Sequence, residues 1–210
     1  MLNLQNLSHA NISLMAYNSN PPTLSDMLKD KPLLVFALEN EAAEAFGGHH
    51  LLFTGIGKIN AAYALLKELA VNRPSIIINL GSAGSNTHKR GEVICCTRFI
   101  QRDMDATALG FEKYQTPFSQ DEAILHYGLK LPGLPEGTCG SGDSFETNHY
   151  TKDYDVIDME AYALARVALR EQIPFLCLKY ISDGADGTAS TDWHTAVHSA
   201  AEALKTALRF

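Results

Sequence analysis

Short apolar runs that stop abruptly at loops of glycine, serine and acidic residues recur along this chain, and they leave few folds open. Residues 32–38 are continuously apolar and end at Glu39-Asn40-Glu41, as a strand buried on both faces does. A helix through Ala45 is expected next. Leu51, Leu52 and Phe53 run into Thr54-Gly55-Ile56-Gly57-Lys58, and residues 61–70 are then rich in Ala, Leu and Lys, which have high helix propensity. Ile76, Ile77 and Ile78 supply another buried strand before Gly81-Ser82-Ala83-Gly84-Ser85, and residues 93–100 read as a further one. Repetition of strand, loop and helix predicts an α/β protein: a three-layer αβα sandwich around a central mixed, largely parallel twisted sheet. Ligands of such sheets bind beyond the carboxyl ends of the strands, so the loops are where chemistry is expected.

The later chain continues the pattern less regularly. Residues 101–137 carry Gly110, Pro117, Pro132, Gly133 and Pro135 around one expected helix near residues 121–129. Residues 138–145 pass from a strand into Gly140-Ser141-Gly142-Asp143-Ser144-Phe145. Residues 156–186 read as a helix opened by an acidic turn, Asp158 and Glu160, and stopped before Pro174; an apolar strand then delivers Ser182, Asp183 and Asp186. From Thr191 a last helix aligns Trp193, Val197, Ala200, Ala201, Leu204 and Leu208 on one stripe, with Asp192 in its first turn. Residues 1–30 are polar, rich in Asn and Ser and broken by Pro21-Pro22. They read as an appended, partly ordered segment, and residues 31–210 as a single domain with one core.

Composition narrows the partners. Seventeen basic against 24 acidic residues give a net charge of −7, and with no basic stripe neither nucleic acid nor an anionic membrane is the expected partner. No apolar run approaches the ~18 residues of a membrane span. The first basic residue is Lys29, so the charged start of a secretory signal is missing. Cys95, Cys96, Cys139 and Cys177 show no C-x-x-C spacing and suit buried reduced thiols. A cytoplasmic protein acting on a small molecule is expected.

The motifs need weighing singly. Gly55-Ile56-Gly57-Lys58 lacks both the spacing of a nucleotide-triphosphatase loop and the third glycine of a dinucleotide fingerprint, and a tight turn explains it. Gly81-Ser82-Ala83-Gly84 suits equally a cradle for an anion or sugar hydroxyl and a close-packed turn. His49-His50 and the pair His194 and His198 have spacings met among metal ligands, but no H-E-x-x-H or supporting acid or cysteine accompanies them, so no metal is expected. No G-x-S-x-G elbow is present. Glu41, Glu160 and Asp183 stand out because each adjoins an apolar element, where a merely solvated charge would be wasteful. Capping or a rim position explains any one of them as well, and Asp158 suits a helix N-terminus.

In order along the chain, Ala37-Leu38-Glu39-Asn40-Glu41, Gly55-Ile56-Gly57-Lys58-Ile59-Asn60-Ala61-Ala62, Asn79-Leu80-Gly81-Ser82-Ala83-Gly84, Ser141-Gly142-Asp143-Ser144-Phe145, Asp158-Met159-Glu160-Ala161 and Ile181-Ser182-Asp183-Gly184-Ala185-Asp186 form a set. This set resembles the nucleoside phosphorylase and nucleosidase superfamily, most closely its methylthioadenosine/S-adenosylhomocysteine nucleosidase branch. The resemblance covers about residues 33–210. It implies a phosphorylase/hydrolase-like fold and cleavage of a purine nucleoside's N-glycosidic bond with no cofactor and no metal.

Such a bond breaks through an oxocarbenium-like state, so the base must be protonated, the sugar cation stabilised and a nucleophile supplied. The resemblance implies Asp183 as the acid for purine N7, positioned by Ser182, and an acid here suits a 6-amino purine. Glu160 would accept hydrogen bonds from the ribose hydroxyls with Met159 against the sugar, and Glu41 with Ser82 would hold the attacking water. Phe145 would stack on the base, and the backbone around Glu146 would read its Watson–Crick edge. Leu38 and Trp193 would flank the 5′ substituent, together with residues 109–118 of a partner subunit, a loop bounded by Leu109 and Phe118, in a homodimer. Glu39 and Glu41 would repel phosphate, so hydrolysis is expected; a phosphorylase, or a nucleoside-binding protein without turnover, are the alternatives.

Overall fold

A computed structural model describes residues 22–42, 44–149 and 151–209, apart from the side chains at 190, 194, 195, 197 and 198. Eight strands form one sheet: β1 (Leu33–Phe36), β2 (His50–Phe53), β3 (Ile77–Gly84), β4 (Val93–Gln101), β5 (Ile124–His126), β6 (Glu136–Ser141), β7 (Val156–Asp158) and β8 (Phe175–Asp183). β1 pairs in parallel with β2 and β3, β3 with β8, β4 with β6, and β6 with β7. Antiparallel pairing joins β4 to β5 and β8, and β3 to β7. Because β8 touches both β3 and β4 while β7 touches both β3 and β6, the middle of the sheet curls on itself. The sheet is thus mixed and largely parallel.

Strand alternation sorts the core into two layers. Leu33, Val35, Ile77, Phe175 and Cys177 point to one face, where α3 (Lys58–Leu69) contributes Ala61 and Leu65 and α4 (Ala161–Glu171) contributes Ala161, Leu164 and Ala168. Leu34, Phe36, Ile78, Leu176 and Leu178 point to the other, against α2 (Glu39–Ala42) and α5 (Ala189–Leu208) through Ala42, Ala200, Leu204 and Leu208. A run apolar at every position is what a strand covered on both faces requires. Each large side chain so buried contributes on the order of 2 kcal/mol.

Four stretches differ from the sequence expectation. Residues 156–186 begin with a strand: Val156 and Ile157 pair with β6, and the helix starts only at Ala161, whose N–H is taken by Asp158 Oδ2 at 2.9 Å. The helix expected near residues 121–129 is the edge strand β5, because pairing of Leu125 opposite Phe99 overrides local helix propensity. Gly81-Ser82-Ala83-Gly84 is the end of β3 itself and not a turn. Within the segment expected to be partly ordered, α1 (Leu24–Lys29) is opened by a capping box between Thr23 and Asp26, and its Met27 and Leu28 pack on the second core layer. Residues 1–21, and the Val197, His194 and His198 side chains singled out in the sequence, lie outside the described residues. α2 ends at Ala42, short of the helix through Ala45 expected from the sequence.

Candidate active site

A cavity of about 270 Å³ opens where β1, β3, β6, β7 and β8 end. The strand ends, the loops that follow and the helices α2 and α5 bring all ten sequence-predicted residues around it: Leu38, Glu41, Ser82, Phe145, Glu146, Met159, Glu160, Ser182, Asp183 and Trp193. Their surroundings differ, and the differences set what each group can do.

Glu41 is buried in α2, just past β1. Its Oε1 accepts the Ser82 backbone N–H at 3.0 Å and the Ser82 hydroxyl at 2.8 Å, and its Oε2 accepts the Leu38 N–H at 3.2 Å. The indole N–H of Trp193 donates to Ser82 Oγ at 2.8 Å. A Cβ at Gly81 would lie 3.1 Å from Glu41 Oε1, so a small residue here lets the carboxylate lie against the strand.

Glu160 ends the β7-to-α4 connection. Its Oε1 accepts the Gly57 N–H at 2.8 Å at the start of α3, and Gly57 holds φ at 96°. The glycine turn therefore presents an amide to a carboxylate, in keeping with the positive field of a helix N-terminus. Burial, then the neighbouring Asp158 charge, pushes the Glu160 carboxyl up to about 7, against Lys179 and the Gly57 amide. Asp158 itself faces Lys179 at 2.8 Å, both side chains being 2% exposed. Burial alone would raise the Asp158 carboxyl, but Lys179 and the hydrogen bonds from Ser141 and the Ala161 amide hold it below its usual range.

Asp183 closes β8 and is buried. Its Oδ2 accepts the Ser182 hydroxyl at 2.8 Å and its Oδ1 the Ala185 N–H at 2.9 Å. Burial raises its pKa against those two hydrogen bonds. A Cβ at Gly84 would meet Asp183 Oδ1 at 2.8 Å, and the register of β3 and β8 shifts at that point. The two glycines of Gly81-Ser82-Ala83-Gly84 thus make room for Glu41 and Asp183, which joins the open readings of that motif to the acidic set.

The cavity also includes residues the sequence reading left aside. Ile56 and Ser144 line it. Lys58 pairs with Asp103 at 2.5 Å and Asp143 at 3.3 Å, tying the start of α3 to the loops after β4 and β6. Among the described residues no cluster of three or more His, Cys, Asp or Glu could hold a metal. His50 lies near Glu68 at 3.2 Å, remote from the cavity lining.

With this geometry in place, the class is defined: residues 47–209 match the phosphorylase superfamily, and the chain belongs to it. Within it, the chain falls in the family of the 5′-methylthioadenosine/S-adenosylhomocysteine nucleosidases. It is 32% identical over 160 residues to the one from Haemophilus influenzae, covering 67% of this chain and 70% of that one. It is 34% identical over 170 residues to the Bacillus cereus protein of the same name, covering 69% and 74%. The Helicobacter pylori 5′-methylthioadenosine/S-adenosylhomocysteine nucleosidase, solved in complex with a substituted pyrrolidin-3-ol, shares the fold at a TM-score of 0.75 and 19% identity, over 86% of this chain and 98% of that one. Futalosine hydrolase of Helicobacter pylori shares it at 0.76 and 18% identity, over 87% and 98%.

Proposed function

We propose that this cavity hydrolyses the N-glycosidic bond of an adenine nucleoside carrying a modified 5′ position, methylthioadenosine or S-adenosylhomocysteine, and releases adenine and the sugar. The observation that carries this reading is the gathering of three carboxylates with unlike environments on one cavity. Asp183, raised by burial, is suited to hold a proton and give it to N7 as the electron pair of the breaking C1′–N9 bond moves into the base. Glu160 lies where it can accept the ribose hydroxyls and place negative charge near the developing cation. Glu41, oriented by Ser82 and Leu38, takes a proton from the water whose oxygen bonds to C1′. Phe145, half exposed, offers its ring to the base, and Met159, Leu38 and Trp193 offer apolar surface to the sugar and the 5′ group.

Water is the nucleophile of choice because no Arg or Lys stands among the described lining residues. A phosphate dianion placed beside Glu41 would lack the cationic partners it needs. Metal and cofactor take no part in these steps. The proposed assembly is a homodimer in which the loop of residues 109–118 reaches the partner's site. It is supported by the exposed Leu109 and Phe118 and by Ile59, Tyr63 and Leu66, exposed on one face of α3. No helix among the described residues is long and apolar enough to cross a membrane, and four buried free cysteines favour a reducing compartment, the cytoplasm.

The test incubates the purified protein with methylthioadenosine, S-adenosylhomocysteine, adenosine and inosine, with and without phosphate. Free adenine and a reducing sugar, independent of phosphate, are expected; a sugar 1-phosphate would overturn the reading, as would binding without cleavage. Asp183→Asn should lower kcat by at least ~100-fold while keeping the fold. Near-normal turnover in that variant would remove Asp183 from the acid's role.

A further inference from the structure

The cavity's walls are held in two ways. Glu41, Ser82, Glu160 and Asp183 ride on or next to strands and helices, whereas residues 144–146 belong to a loop without regular structure. Phe145 is 49% exposed, so apolar packing does little to fix this wall. Lys58 anchors Asp143 earlier in the loop, and residues 144–146 are gathered by a second cation, Arg102.

Arg102 follows the last residue of β4, and the register of Gln101 opposite Ser141 sets it beside Gly142; its backbone N–H donates to the Ser141 carbonyl at 2.9 Å. One side of its guanidinium, Nη1, reaches the Ser144 hydroxyl at 3.1 Å and Glu146 Oε2 at 3.2 Å. The other, Nη2, donates to the Gly142 carbonyl at 3.3 Å and to the Ser144 carbonyl. The side chain is 7% exposed. A Cβ at Gly142 would stand 2.9 Å from Arg102 Cζ, so the glycine is what lets the guanidinium enter the loop. Glu146 is held from a second direction by the Tyr154 hydroxyl at 3.3 Å, and the Tyr154 ring lies over Gly140, with His149 stacked on it at 5.0 Å.

We propose that Arg102 is a positioning residue for the nucleobase: by folding residues 142–146 around one buried guanidinium it sets the wall that carries Ser144, Phe145 and Glu146. The proposal rests on the assignment of that wall to the purine. A planar fork with fixed donor directions can define a loop in this way, whereas a point charge cannot. Arg102 also neutralises Glu146, so the base side of the cavity accepts an uncharged purine without an unpaired carboxylate next to it.

The experiment measures adenine affinity by quenching of Trp193, the chain's single tryptophan and a lining residue, alongside kcat and KM for methylthioadenosine. For Arg102→Met, KM and the adenine dissociation constant should rise about 10-fold while kcat falls by less than about threefold. Arg102→Lys keeps the charge beside Glu146 but not the fork to two carbonyls, and should lose about threefold in adenine affinity. A purely structural Arg102 would lower the melting temperature and leave KM and adenine affinity of the folded protein where they were, and that result overturns the proposal. If Arg102→Met fails to fold, Arg102→Lys decides: weakened adenine binding supports the role, unchanged binding overturns it. Adenine binding separates this proposal from the hydrolase reading. A parent protein that binds adenine but cleaves nothing sinks the hydrolase reading and still lets the Arg102 variants be compared.

Discussion

Asp158 and Glu160 stand on either side of Met159, are almost equally buried at 6% and 7% exposure, and behave in opposite ways. Asp158 lines the cavity at its floor, where Lys179, Ser141, Cys139 and the Ala161 amide surround its two oxygens. Glu160 belongs to the cavity surface, where the Gly57 amide at 2.8 Å holds one oxygen and the neighbouring acids work against its charge. One carboxyl is held below its usual range and the other is pushed up to about 7. Burial is common to both, so burial does not decide the charge; the partner set does. A floor with matched charges can carry a surface whose charges are deliberately left unmatched.

The sharpest way to break this contrast is to remove the floor's cation. Lys179→Met would leave Asp158 buried without its counter-charge at 2.8 Å, and the expected loss is about 3–5 kcal/mol of folding stability. Urea unfolding at neutral pH measures it. A loss under about 1 kcal/mol would mean that Asp158 is satisfied without the ammonium and that the floor does not depend on matched charges.

The surface should respond with the opposite sign. With its carboxyl shifted from the ordinary 4.5 to about 7, folded Glu160 keeps a proton that the unfolded chain has released. Its contribution to stability is therefore present below pH 4.5 and is lost as pH rises through 7. Asp158 runs the other way, its contribution being lost as pH falls below the ordinary aspartate value of 3.8. Glu160→Gln, which keeps an acceptor for the Gly57 amide, should be more stable than the parent at pH 8 by on the order of 2 kcal/mol, with little difference at pH 4. It should be the poorer enzyme, as expected where function maintains an unfavourable charge. Equal stability of the two proteins at pH 8 would remove the contrast.

The surface was far more legible than the floor. Glu41, Glu160 and Asp183 could be picked out because acids at the ends of apolar runs have few structural uses, and the resemblance of six short motifs distributed their roles. Lys179 carried a usable signal, a cation inside the apolar strand Phe175–Asp183, but its partner Asp158 read as part of a helix opening. That reading holds for the bond Asp158 accepts from the Ala161 amide but misses Lys179, because Val156–Asp158 takes its structure from pairing with β6, a contact invisible to local pattern. Arg102 and Gly142 are 40 residues apart and meet only through the parallel register of β4 and β6. The edge strand β5 was missed for the same reason, since Leu125 is paired by β4 and not by its neighbours in sequence. What depends on one stretch can be read from it; what depends on register between distant strands cannot.

The smallest expected effect separates an anchor of the floor from an anchor of the wall. Ser141 is fully buried; its hydroxyl donates to Asp158 Oδ1 and accepts the Tyr162 N–H at 2.8 Å. Ser141→Ala removes both bonds and leaves a buried amide unpaired, at a cost of about 1–2 kcal/mol. Lys179 still neutralises Asp158, so the loss should appear in the unfolding midpoint and not in adenine affinity. Arg102 lies in the adjoining loop, less buried than Ser141 but also hydrogen-bonded, yet its replacement should be felt in adenine affinity. Measuring both quantities on both variants tests whether the boundary between floor and surface runs between these two neighbours. Weakened adenine binding in Ser141→Ala would place that boundary deeper, with Asp158 acting on the site through the helix it opens.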